Sequence, residues 1–404
     1  MPTAASTLPI IDADPFGPRV LADPLPFQHE LREAGPVVVL AKYGVYAMGR
    51  HAEVQAALTD WQSFESGAGV GLANFRTEAP WRPPSLLLEA DPPHHDAPRA
   101  VLTTILGPRQ LARLREAWEA DAAELVDTLL ARASGGALEF DAVPDLAGAY
   151  PLRVFPDAVG IGPDGRENLL PYGDMAFNAF GPRNALVERD AERVGALSGW
   201  VASQCAREAL SESGFGAQIW EAADRGDITH EQAPLIVRSL LTAGVDTTVN
   251  GIAAFLHAVA THPRAWERLR RQPALIRGSF DEAVRLESPV QSFFRTATRD
   301  VEIGGTVIPA GSKAVLFLGA ANRDPRRWED PDVFDVDRDP SGHVGYGFGL
   351  HQCVGQHVAR AEATAVMGAL ARRVEAIELA ATPRRHLNNT LRSWASLPLR
   401  FTVA

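Results

Sequence analysis

Of the two cysteines in 404 residues, Cys353 is the one whose neighbours suggest chemistry. It lies in Gly345-Tyr-Gly-Phe-Gly-Leu-His-Gln-Cys-Val-Gly355, a glycine-dense stretch that runs into a helical pattern of small apolar residues. Gly345, Gly347 and Gly349 permit tight turns and the close approach of something large and flat. At a helix N-terminus, amide N–H groups and the helix dipole favour the thiolate over the thiol. A thiolate opposing a metal from one side is the requirement of a haem-thiolate centre.

Other chemistries fit this stretch less well. The spaced glycines could form a nucleotide-binding turn, but Pro331-Asp-Val-Phe-Asp-Val-Asp-Arg-Asp-Pro340 before them is no buried parallel strand. Cys353 with His351 could be a nucleophile and its base. A zinc site lacks a second nearby cysteine.

The segment resembles the cysteine-ligand loop of the cytochrome P450 family, Phe-Gly-x-Gly-x-His-x-Cys-x-Gly, with Tyr346 in place of the first Phe. That hydroxyl must find a partner. Four further segments match the family in chain order, and together the matches cover roughly residues 80–360. In Ala243-Gly-Val-Asp-Thr-Thr248, an acid and two threonines interrupt an apolar helix and compete for its backbone. The resemblance gives Asp246 the gating of proton delivery and Thr247 the oxygen-binding position, with Ala243 beside the cofactor. Taken alone, the same residues would be threonines back-bonding in a kinked helix. Glu282-Ala-Val-Arg285, completed by Arg338, is implied to be scaffold for the cysteine loop. His95 and Arg99 of Asp91–Arg99, Arg295 and His351 are implied partners of the haem propionates, whose charge requires paired cations inside protein.

A substrate end can also be read. Trp81-Arg-Pro-Pro-Ser85 projects a cation and a hydroxyl from a proline-stiffened loop, and Ser239, Ala243, Asp246 and Thr247 share one helix face. Ser239 and Ala243 are about one turn, roughly 6 Å, apart, close to the length of a benzoate ring. Ser85 and Ser239 would hold a carboxylate, with positive charge from Arg82 and Arg238. Phe177, Phe180, Phe293 and Val290 would hold the ring. These positions resemble the bacterial P450 subfamily that oxidises 4-methoxybenzoate and related acids.

The elements that must position these residues are mainly helical, with a small β-rich region, the P450 fold that the resemblance implies. Periodicity predicts helices near 95–106, 108–132, 144–160, 166–179, 187–211, 215–225, 229–260, 263–271 and 273–287. Strand-like stretches fall at 36–49, 300–308, 313–318, 375–380 and 391–403. The first 30 residues and residues 62–92 read as irregular. No linker or repeat divides the chain, so residues 1–404 are expected to form one haem-thiolate monooxygenase domain.

Composition narrows the partners. The net charge is −11, and Lys42 and Lys313 are the only lysines, with no basic run, which argues against nucleic acid. The N-terminus lacks a charged segment followed by an apolar one, and the apolar stretch around 233–260 carries Arg238, Asp246 and Asn250. No membrane span is therefore expected, and Cys205 without a disulfide partner fits a reducing cytoplasm.

The resemblance implies haem b on Cys353, dioxygen, and two electrons from NAD(P)H through a ferredoxin and its reductase, with the chain acting as a monomer. Arg109, Arg113, Arg360 and Arg372 are candidates for a basic docking face. The rival readings are a peroxide-driven peroxygenase and a non-catalytic binder of haem or small acids.

Overall fold

In the computed structural model, residues 8–403 are described, and the absence of a leader, read from the first residues, concerns positions outside that range. Beyond its polar first turn, Asp246–Thr261 is predominantly apolar, as suits a buried core helix. Val249, Ile252, Phe255, Leu256 and Val259 are all buried there. This helix packs on Ile276–Glu287 and on Gln356–Ala371, and the latter packs in turn on Pro108–Leu130. Gln232–Thr261 is long and apolar enough to cross a membrane by composition, yet 67% of its most apolar window is buried inside the fold.

The largest sheet has six strands, in the order Ile10–Ile11, Val38–Leu40, Val45–Met48, Lys313–Phe317, Ser292–Ala297 and Phe64–Glu65. Ser292–Ala297 runs antiparallel to Lys313–Phe317, with Phe294 opposite Val315. Alternation along that strand puts Phe293 and Arg295, one substrate candidate and one cofactor candidate, on the same face. Val374–Leu379, Pro398–Val403 and Ala137–Asp141 form a second sheet. A hairpin of Arg384–Leu387 and Arg392–Ser396 carries Asn388 and Asn389 at its tip.

Glu282, Arg285 and Arg338 meet as expected. Arg285 donates to both carboxylate oxygens of Glu282 at 2.7 and 2.9 Å, and Arg338 donates to one at 3.0 Å. The Arg285 guanidinium also donates to the carbonyls of Asn322, Pro331 and Val333. Neither Glu282 nor Arg285 is exposed, so every charge and donor needs its partner. The triad therefore clamps the helix to the chain that leads into the cysteine loop.

Several elements depart from the sequence reading. The first 30 residues hold two helices, Pro18–Ala22 and Leu25–Ala34, because Pro18 and Pro26 occupy first-turn positions where proline starts a helix instead of breaking one. Expected helix 144–160 opens with a π-helical stretch, Val143–Gly148. Expected helix 187–211 is divided into Ala185–Glu188 and Val194–Gln204 with a short turn at Arg207–Ala209. Strand Ala137–Asp141 was not read because its partner, Pro398–Val403, lies at the far end of the chain.

Candidate active site

The cysteine loop is fixed by its own backbone. Val344 N–H donates to Asn322 Oδ1 at 2.8 Å, and Cys353 N–H donates to the Tyr346 carbonyl at 2.8 Å. Gly349 has φ +66°, and a Cβ there would lie 2.9 Å from the Leu58 carbonyl oxygen. Glycine is thus needed for both conformation and close approach. Cys353 keeps exposed surface, while the protein around it is dense enough that burial pushes its thiol pKa up. Both observations hold if that surface faces a recess inside the fold. Gly355 and Gln356 amides, Arg99 and Arg360 pull the pKa down without winning. The helix start alone therefore does not make the thiolate, contrary to expectation. A coordinated metal cation would, because it removes the thiol proton outright.

Tyr346, the departure from the family pattern, is half-buried, and its enclosed hydroxyl sits beside the Asp281 carboxylate. Burial, with the Asp281 charge added, holds that phenol far above its usual range. Arg360 stacks over the Tyr346 ring at 4.6 Å and donates to both Asp281 oxygens at 2.8 and 2.9 Å. Arg360 is therefore already ion-paired, while it still lines a surface cleft beside the loop. Arg109, Arg113 and Arg372 are exposed.

The four cofactor-edge candidates converge near the cysteine. Arg99 donates to the Gln352 carbonyl at 2.6 Å, next to Cys353. The His95 and His351 rings lie 4.8 Å apart, and His351 Nε2 meets Asp91 Oδ1 at 3.2 Å. Arg295 is buried, and burial pulls its pKa down to about 10 against the pull of Asp91. Most telling is His95: it is 1% exposed, and neither ring nitrogen has a hydrogen-bond partner. Its nearest carboxylate, on Asp96, is 3.7 Å away. Buried donors with too few acceptors fit an anionic ligand edge such as a pair of propionates. With one sulfur ligand in the recess, this donor set fits haem.

The helix above is broken where the sequence reading had one element over 229–260. Gln232–Ala243 ends at Gly244, and Asp246–Thr261 restarts after Val245, whose φ and ψ are −103° and −64°. Thr247 Oγ1 donates to the Ala243 carbonyl at 2.8 Å, spanning the break. Ala243 is exposed although it sits mid-fold. Gly244 must be small because a Cβ there would run into the Phe155 ring.

Asp246 is the unusual acid. Burial first, then the charge of Asp174, raise its pKa to about 7, while His386 and Asn250 oppose them. His386 Nε2 meets Asp174 Oδ1 at 2.8 Å, and Arg189 donates to Asp174 Oδ2 at 2.8 Å. Neither Asp174 nor His386 was readable as a neighbour of Asp246, since they lie on a different helix and on the 384–396 hairpin.

A stability test follows from that acid. Its folded pKa is raised, so the wild type loses stability as pH climbs from the unfolded value to the folded one. Asp246→Asn carries no such loss. Its advantage in thermal unfolding should grow between about pH 4 and pH 7, reach about 1–3 kcal/mol, and then level off. A pH-independent difference would show that Asp246 is an ordinary ionised carboxylate.

The substrate candidates also come together. Phe180 lies 5.7 Å from Phe177 and 5.8 Å from Phe293, ring centre to ring centre, both edge-on. Val290 packs on the same cluster, as do Val70, Leu88 and Leu391, three residues that sequence reading missed. Arg238 donates to the Pro84 carbonyl at 3.1 Å, which brings Arg238-Ser239 to Pro84-Ser85. Ser239 donates to the Leu235 carbonyl, and the Ser85 hydroxyl accepts from the Leu87 and Leu88 amides. Arg82 differs from the expectation of a free cation. It donates to both Glu89 oxygens at 2.7 and 2.5 Å, so its charge is already answered.

Residues 215–397 match the family described as Cytochrome P450. The chain is 55% identical over 397 residues to "Cytochrome p450 CYP199A2" of Rhodopseudomonas palustris, covering 98% of this chain and 95% of that one. It is 30% identical to "Cytochrome P450 monooxygenase PikC" of Streptomyces venezuelae over 97% of this chain and 94% of the relative. The solved structure of cytochrome P450 CYP109Q5 from Chondromyces apiculatus superposes with a TM-score of 0.80 at 31% identity, covering 98% of this chain and 99% of the other. With kinship along nearly its whole length, a cysteine loop of the family's pattern and an interrupted core helix, the chain belongs to the cytochrome P450 family of haem-thiolate monooxygenases.

Proposed function

We propose that this enzyme O-demethylates or hydroxylates para-substituted benzoic acids. It would use dioxygen and two electrons passed from NAD(P)H by a ferredoxin reductase and a ferredoxin. It would work as a cytoplasmic monomer and a single domain over residues 1–404. One observation carries the substrate reading: Arg238-Ser239 is joined to Pro84-Ser85 by the Arg238 hydrogen bond, and Leu88 of that same loop packs on the Phe177, Phe180 and Phe293 cluster. Hydroxyls and a cation at one end of an aromatic wall suit a benzoate, whose carboxylate they would hold.

Haem b held by Cys353 supplies the activation of dioxygen. His95, Arg99, Arg295 and His351 would hold its acidic edge, and Ala243 leaves room beside it. Asp246, poised near neutral pH, can take up and release a proton at its carboxylate within the working range. The Thr247 hydroxyl, one residue on in the broken turn, can pass that proton while its own hydrogen bond to the Ala243 carbonyl steadies it. The phenylalanine wall keeps water from the ring.

The test is a haem spectral titration with 4-methoxybenzoate, 4-methoxybenzamide and anisole. The acid should bind at least about a hundredfold more tightly, because polar groups built for a carboxylate are left unpaired by a neutral analogue. Equal affinities would defeat the acid reading.

A further inference from the structure

Glu89 lies near the end of the irregular section and was not among the residues singled out from sequence. Its side chain is fully buried and gathers four donors. Arg82 donates through both terminal nitrogens, Val70 N–H donates to Oε1 at 3.1 Å, and Ser85 N–H donates to Oε2 at 3.1 Å. Val70 belongs to the phenylalanine cluster, and Ser85 belongs to the proposed carboxylate end. One carboxylate thus ties the aromatic wall to the polar end. Arg82, held by it, lies over the Phe180 ring at 4.6 Å and serves as wall.

The charge balance around this hub is uneven. Lys313, buried in the neighbouring strand, donates to the Ala68 and Gly69 carbonyls of the same loop. Burial lowers its pKa to about 7, with Glu89 and Glu65 opposing and Arg295 and Arg82 adding to the fall. Arg238, which donates to the Pro84 carbonyl, has no carboxylate partner among the described residues. Glu89 is therefore the anion that stands between a cationic pocket and the present one.

We propose that Glu89 sets how strongly this pocket prefers an acid: it positions Ser85 and Arg82 while cancelling the charge of Arg82, so that Arg238 is the cation left to face a carboxylate. The proposal rests on the acidic-substrate reading above. An incoming carboxylate meets Glu89 as a like charge, and an anion's affinity is held below what two free guanidiniums would give.

The probes are 4-(imidazol-1-yl)benzoate and its carboxamide, which bind the holoenzyme through the imidazole nitrogen whatever the natural substrate is. Their affinities are read from the haem spectrum. Glu89→Gln keeps size and hydrogen-bond acceptor but removes the charge. It should raise the acid-to-amide affinity ratio on the order of tenfold, the scale of one uncompensated charge in a partly buried site. Arg82→Gln, which leaves Glu89 unanswered, should lower the ratio by a similar factor, and the double variant should return it to the wild-type value. An unmoved ratio, or equal weakening of both probes, would overturn the proposal and leave Glu89 a mere brace. Should the wild type favour the amide while Glu89→Gln still raises the ratio, the acidic-substrate reading falls and the role of Glu89 stands. If Glu89→Gln does not fold, the Arg82→Gln shift decides by its sign.

Discussion

Cys353→Ser is expected to lose the thiolate signature of the reduced carbon-monoxide spectrum and to bring monooxygenase turnover to background. Cys353 is the one sulfur at the recess, since Cys205 is buried elsewhere and donates to the Val201 carbonyl. A serine hydroxyl has a far higher pKa than a thiol, and the amides of Gly355 and Gln356 that fail to ionise the thiol would not ionise it either. The loop should survive, because Asn322, Tyr346 and the glycines shape it through backbone contacts. Unchanged far-ultraviolet circular dichroism with a lost spectral signature separates ligand loss from unfolding. An unchanged carbon-monoxide spectrum would remove Cys353 as the ligand.

Thr247→Ala should divert most reducing equivalents from product to hydrogen peroxide, while haem content and ligand affinity stay near wild type. The reason is local. Thr247 bridges the broken turn beside Asp246, so its loss removes the hydroxyl that can hand on a proton but leaves the recess and the half-buried acid in place. Electron flow continues, and its outcome changes. The measurement is peroxide formed per NADH consumed. Full coupling of NADH to product in the variant would deny Thr247 that part.

What the sequence made legible was local. The glycine spacing around Cys353 and the i, i+3 pair Glu282 and Arg285 are short-range patterns, and each reappears in the structure with its expected partners. The acid and threonines at 246–248 marked the helix for interruption, though periodicity still drew one helix over 229–260. Periodicity averages over a break that one turn of backbone produces at Gly244 and Val245.

Partner choice was not legible. Arg82 pairs with Glu89, Arg360 with Asp281, and Asp246 feels Asp174 and His386. In the first case both residues lie in a stretch without helical or strand period, and in the others the partners come from separate elements. Only the folded backbone decides which charge answers which. The same limit explains Gly244, whose smallness serves Phe155, and Tyr346, whose hydroxyl sits beside the Asp281 carboxylate.

The most direct measurement of the account is reconstituted turnover with a ferredoxin and its NAD(P)H-dependent reductase, following NADH, formaldehyde and 4-hydroxybenzoate with 4-methoxybenzoate as substrate. The account predicts that formaldehyde and 4-hydroxybenzoate appear together in equal amounts, that each accounts for most of the NADH consumed, and that the 3-methoxy isomer and anisole are turned over far more slowly. Consumption that ignores the acid, or oxidation of the meta isomer or anisole as fast as of the para acid, would contradict it.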